Sequence, residues 1–208
     1  MKEPPRRAKP RARAATGEGS TFDAFCREVF EFLDRLGLEY LVIGGLAVVA
    51  LGEPRTTADV DVVIFADDDG ALALLDAARA SGFQADRDAE ARALRETGTL
   101  RLRRGIQQLD VIVASLPFEH AALARARRTR MFGRLVPLPT PEDLLIFKVL
   151  AGRDKDLLDA AGVVRRHLPT LDVGYVERSI LAVSEFAEDP GLLDRLRAVL
   201  AKGATPRG

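Results

Sequence analysis

The residues most able to do chemistry lie in one stretch and one later strand. Gly44-Gly45 is followed, after thirteen residues, by Asp59-Val60-Asp61, and Asp110 stands inside the apolar run Leu109-Asp110-Val111-Ile112-Val113. Side chains at i and i+2 of a strand share a face, so Asp59 and Asp61 point the same way while Val60 and Val62 point into the opposite layer. Two adjacent carboxylates repel unless a cation lies between them, and hard oxygen donors of this kind suit Mg²⁺. Asp110 needs a partner too, because an unpaired charge inside an apolar strand is costly, and a neighbouring strand can bring it to the same cation. Gly44-Gly45 stands where a strand turns into a helix, a place where bare backbone lets an anion approach free N–H groups; a triphosphate meets that requirement. Arg55 and Thr57, just ahead of the aspartates, add a fixed cation and a hydroxyl for contacting phosphate or bracing the loop. Lys148 sits on an otherwise apolar helix face, where a lysine needs a phosphate or a carboxylate as partner.

These residues require particular elements to hold them. Phe22, Phe25, Cys26, Val29, Phe30, Leu33 and Leu36 recur at helical spacing up to Gly37. Tyr40 to Ile43 reads as a strand, Leu46 to Leu51 as a short helix broken by Gly52-Glu53-Pro54, and Asp59 to Phe65 as a strand with one polar end. Asp67-Asp68-Asp69 reads as a cap for a helix running to Ala80. Ser81-Gly82-Phe83 closes this helix, and the stretch from there to Gly98 has no clear period and reads as loop or short helix. Leu100 to Arg103 and Leu109 to Val113 read as a hairpin around Gly105, followed by a helix from about Phe118 to Arg130 and a strand over Arg134 to Leu138. Thr140-Pro141 with Asp143 opens a further helix, and helices are expected over Asp154 to His167, Asp172 to Ala187 and Pro190 to Ala201. The expected fold is α/β of the α+β kind, a mixed β-sheet flanked by helices. Its domain organisation is a disordered basic tail over 1–20, a core over 21–139, a helical carboxy-terminal annex over 140–201 and a flexible tail over 202–208.

Composition narrows the function classes. The 208 residues carry 31 Lys+Arg against 31 Asp+Glu, so the whole chain has no bulk attraction for nucleic acid or acidic membranes. Within residues 1–20, however, six basic residues oppose only Glu3 and Glu18, with three prolines among them. The longest apolar stretch, Tyr40 to Leu51, falls short of the roughly 20 residues of a membrane helix. A soluble, cytoplasmic chain with no membrane partner is expected. The single cysteine, Cys26, excludes an internal disulfide and reads as a reduced core residue. His120 and His167 are isolated and carry no catalytic expectation. The arginines at 101, 103, 104, 125, 127, 128, 130 and 134 form either a basic surface for a phosphate-rich acceptor or a solvated face paired to acids.

The run IGGLAVVALGEPRTTADVDVVI resembles the nucleotidyltransferase core of the DNA polymerase β superfamily, which combines Gly-Gly or Gly-Ser, a spacer, Asp-x-Asp and a third carboxylate on a later strand. The segment FKVLAGRDKDLLD, through Lys148, Arg153, Lys155, Asp156 and Asp159, is similar to a motif of the small prokaryotic nucleotidyltransferase-like toxins of abortive-infection and toxin–antitoxin systems. The resemblance spans roughly residues 36–168 and implies a nucleotidyltransferase-type fold. It implies catalysis by Asp59, Asp61 and Asp110 acting as ligands of two Mg²⁺ ions, with Mn²⁺ as an alternative. Gly44, Gly45, Arg55, Thr57, Lys148, Lys155 and Asp156 would bind the phosphates of an NTP. The implied acceptor is a hydroxyl of tRNA, a protein or a small molecule, and a cognate antitoxin is an implied partner. A non-catalytic module of the same fold, binding a nucleotide or a protein partner, is the alternative.

Overall fold

The structure is a computed structural model that describes residues 18–205, with side chains from Phe22 onward. Of the expected tails, 1–17 and 206–208 lie outside the described residues, whereas 18–20 form the first turn of a helix and 202–204 the last turn of another. Helix α1 (Glu18–Arg35) buries Phe25, Cys26, Val29, Phe30, Phe32 and Leu33, the three- and four-residue spacing that places them on one side. Its Cys26 is fully enclosed, and desolvation pushes the thiol up to about 12, which leaves it an inert core residue.

Strand β1 (Tyr40–Ile43) runs directly into α2 (Gly44–Leu51), so the helix starts on the glycines themselves, two residues earlier than the apolar run indicated. Strand β2 (Asp59–Ile64) follows, then α3 (Asp68–Ala80), α4 (Arg87–Thr97), β3 (Thr99–Arg104) and β4 (Gln107–Val113). The four strands form one sheet in the order β1-β2-β4-β3, with β2 and β4 parallel and the outer pairings antiparallel. One face carries Val42, Val60, Val62, Ile64, Leu100, Leu102, Leu109 and Val111 into the main core with α1 and α3. On the other face Leu41, Ile43 and Val63 pack with Ala122 and Phe147. Asp59, Asp61 and Asp110 belong to this second face, beyond the end of its apolar cover, as the shift from alternating to wholly apolar sequence in β2 indicates.

One open stretch is decided and another departs from the sequence reading. The aperiodic segment after Ser81 contains α4, started by Asp86, whose side chain accepts from the N–H groups of Asp88 and Ala89, and ended by Gly98 in the left-handed conformation. The helix expected through Arg130 stops much earlier: α5 covers Pro117–Arg125, and Arg127–Met131 is strand β5, paired antiparallel with β6 (Arg134–Leu138). Phe132 and Gly133 both have positive φ, +50° and +80°, forming the mirror-image two-residue turn whose twist suits a hairpin.

The carboxy-terminal part is helical: α6 (Pro141–Ala151), α7 (Asp154–His167), α8 (Val173–Phe186) and α9 (Gly191–Ala204). Thr140 caps α6, accepting from the Asp143 N–H at 3.2 Å. These helices enclose their own cluster, including Leu145, Val149, Ala160, Val176, Ile180 and Leu196. Helix α9 runs to Ala204, past the expected end at 201. No helix of the described residues is long and apolar enough to cross a membrane.

Candidate active site

The β1–β2 register places Ile43 opposite Asp61, which sets the turn at Gly44 beside the aspartate strand. Gly44 has φ +61°, and a Cβ there would overlap the Asp61 carboxylate. A Cβ on Gly45 would overlap the Thr57 hydroxyl and come within 3.2 Å of the Arg55 guanidinium. Both glycines are therefore required by close approach of side chains from β2 and the loop before it. The Gly45 N–H donates to Asp61 Oδ2 at 3.3 Å, so the amide expected to face a phosphate is directed here at a carboxylate. Thr57 Oγ1 donates to the Asp59 carbonyl at 3.2 Å, which braces the loop, and Arg55 forms an ion pair with Asp159 at 3.1 Å.

The parallel pairing of β2 and β4 sets Asp61 directly beside Asp110 and Asp59 beside Gln108, so the three aspartates share one face. Burial pushes the Asp61 carboxyl above its ordinary range. The Gly45 hydrogen bond and the Lys148 charge oppose that shift, and the charges of Asp110 and Asp59 add to it. Asp110 accepts from Arg101 Nε at 3.0 Å and from Gln108 Nε2 at 2.8 Å.

Lys148 on α6 is buried, with its amine 2.8 Å from Asp156 and 3.1 Å from Asp159 on α7. Of the two partners expected for it, phosphate or carboxylate, the folded chain supplies the carboxylate. Burial resists ionisation of Asp156, but hydrogen bonds and charge from Arg153 and Lys148 outweigh it and hold the carboxyl below its usual range. Lys148 acts electrostatically on Asp61, and Arg153 on both Asp61 and Asp110, so this pair of helices faces the aspartate strands. Lys155 is exposed on α7 and forms no ion pair among the described residues.

Sequence reasoning named Arg153 and Asp159 in the helical motif without assigning either to the site, and gave Gln108 no role. Arg101 appeared only as one member of a basic patch. Half of that patch is paired to acids: Arg101 is held by Asp110, Arg125 by Asp143 and Glu142, Arg134 by Glu31 and Asp34, and Arg104 by Glu28. His167 contacts the Leu51 carbonyl and His120 packs on Phe65, consistent with structural roles. A cavity of about 600 Å³ beside Arg125, Arg127, Thr140 and His167 touches α2 at Leu51, and none of the aspartates lines it.

The three carboxylates offer the hard oxygen donors that a divalent cation takes, on adjoining register positions and partly desolvated. That donor chemistry fits Mg²⁺ or Mn²⁺. Among the described residues no three His, Cys, Asp or Glu side chains form a ready metal cage, and Asp110 is turned to Arg101 and Gln108.

No family model matches the chain, and no curated protein matches it. Among solved structures it is similar to an antigenic nucleotidyltransferase-like protein from Paracoccidioides brasiliensis, at 21% identity and TM-score 0.46, over 86% of this chain and 91% of that one. It is also similar to ANT(2")-Ia in complex with adenylyl-2"-tobramycin, at 16% identity and TM-score 0.47, over 88% and 99%. JHP933 from Helicobacter pylori is a third, at 12% identity and TM-score 0.48, over 91% and 92%.

Proposed function

We propose that the chain is a metal-dependent nucleotidyltransferase, moving an NMP group from an NTP to an acceptor hydroxyl. The observation that carries this reading is the register that sets Asp61 beside Asp110, with Asp59 on the same face, next to a Gly-Gly turn at the start of a helix. The acceptor oxygen bonds to the α-phosphorus, the bond from that phosphorus to the bridging oxygen breaks so that pyrophosphate leaves, and the hydroxyl proton passes to solvent.

Asp59 and Asp61 would hold the divalent ions, with Asp110 completing the set. Ions held there would neutralise the triphosphate and lower the pKa of the acceptor hydroxyl. The chain's own groups bind and orient. Gly44 and Gly45 keep the turn free of side chains, Arg55 and Thr57 fix the loop that leads to the aspartates, and Lys148 and Arg153 add positive charge facing them. Asp156 orients the Lys148 amine, and exposed Lys155 is a further phosphate contact at the start of α7. Such catalysis is mostly positioning and charge neutralisation.

The test is transfer of label from each α-labelled NTP, with Mg²⁺, to the RNA, protein and small-molecule fractions of a cell extract. Label is expected in one fraction and absent with Asp59→Asn combined with Asp61→Asn. Equal labelling by the double variant, or none by the parent, refutes the mechanism. The toxin role and cognate antitoxin rest on the motif resemblance alone. For them the expected result is growth arrest on expression, relieved by the same double variant.

A further inference from the structure

Arg101 lies in the middle of β3, the edge strand, directly opposite Asp110 in antiparallel register and on the face that carries the three aspartates. Strands β2 and β3 flank β4 on opposite sides, so the Arg101 Nε bond to Asp110 Oδ1 draws the carboxylate toward the edge of the sheet, away from Asp61. Gln108 takes the other oxygen. The strand is fixed at this position, because the Arg101 backbone N–H donates to Glu90 Oε2 of α4 at 2.7 Å. The Arg101 guanidinium also feels the charge of Asp59. The face thus carries three carboxylates, the third of them neutralised by Arg101.

We infer that Arg101 is an internal counter-ion that competes with a divalent cation for Asp110, making it a positioning residue for the third carboxylate. The inference rests on the metal-dependent reading above. The pair is weak enough to be exchanged: the side chains are 58% and 27% exposed, and a solvent-exposed ion pair changes an equilibrium by only a few-fold. A divalent cation between partly desolvated carboxylates competes well with one exposed guanidinium. The bare chain is therefore held below the cation affinity that its donor set would otherwise give.

The neighbouring strand position provides the control. Arg103 is two residues along β3, on the same face, opposite Gln108; it is exposed and its side chain forms no ion pair among the described residues. Arg103→Gln removes the same charge without releasing Asp110. The experiment titrates the full chain with Mn²⁺ alone, without nucleotide, and reads free Mn²⁺ by electron paramagnetic resonance. Arg101→Gln is expected to bind Mn²⁺ about two- to fivefold more tightly than the parent, with Arg103→Gln close to the parent and Asp61→Asn strongly weakened. The inference is overturned if Arg101→Gln binds no more tightly, or if Arg103→Gln gains as much, since the effect would then be diffuse charge and not competition at Asp110. Parent binding that Asp61→Asn removes leaves the metal-dependent reading standing in either case. Absence of Mn²⁺ binding to both the parent and Arg101→Gln overturns that reading and the inference together.

Discussion

At the scale of single residues, Asp61 shows how the site sets function against stability. Its carboxyl is pushed above the ordinary range chiefly by burial, with Asp110 and Asp59 adding like charge. Below the unfolded-state pKa the group is protonated in both states and costs nothing. As pH rises through that value, near about 3.9, the unfolded chain ionises first and stability falls, and above the raised native pKa the full cost is present. Asp61→Asn, which keeps the shape and can still accept from the Gly45 N–H, should therefore raise the metal-free melting temperature at pH 7 by about 2–4 °C, equivalent to roughly 1 kcal/mol. The gain should shrink as the pH is lowered toward about 4. Melting curves in EDTA across this range check it, and a loss of stability at pH 7 would show that the attraction of the Gly45 N–H and of Lys148 for the ionised carboxylate outweighs burial. The shared face of Asp59 and Asp61 was legible from the period of a strand, and the need of Lys148 for a partner from its apolar surroundings. The pairing of Asp110 with Arg101 was not, because it depends on the register between β3 and β4, and single-strand periodicity carries no register.

At the scale of elements, helices with good end signals were easiest to read. Thr140-Pro141 announced α6, and α7 lies where Arg153 and His167 bracket an amphipathic run. Strand β5 was hidden because Ala and Arg are strong helix formers, and its residues become a strand through pairing with β6 across the Phe132-Gly133 turn. The end of α9 was hidden for a different reason: Gly203 reads as a breaker, yet it is buried where α9 crosses α7. A Cβ there would meet Val164 and lie 2.9 Å from the Ala161 carbonyl. Gly203→Leu is accordingly expected to lift the end of α9 from α7 and to destabilise the chain by about 1–3 kcal/mol. Lys202→Leu, on the exposed side of the same turn, should stay within about 0.5 kcal/mol of the parent. Urea denaturation of the two variants separates them, and equal behaviour would mean that the packing at Gly203 carries no energy.

At the scale of the molecule, a formal charge of zero conceals charges that are locally paired, and one group of pairs joins the two halves of the fold. Arg55, in the loop leading to β2, pairs with Asp159; Asp159 pairs with Lys148; Lys148 pairs with Asp156, and Asp156 with Arg153. Lys148 is the cation common to both acidic partners, and the Lys148, Asp156 and Asp159 side chains are only 5%, 1% and 10% exposed. Lys148→Met fills the same space while leaving two buried carboxylates to share the more exposed arginines. Breaking a buried pair in this way costs about 3–5 kcal/mol. Because Asp159 also holds Arg55, the loss should propagate to the loop over residues 52–58 as well as the start of α7. Amide hydrogen exchange of Lys148→Met is expected to show both segments losing protection together, with the β5–β6 hairpin, which has no part in the network, unchanged relative to them. Exchange that rises at α7 alone would mean that the helical annex and the aspartate loop are held independently, and that the position of Asp59 and Asp61 owes nothing to the buried lysine.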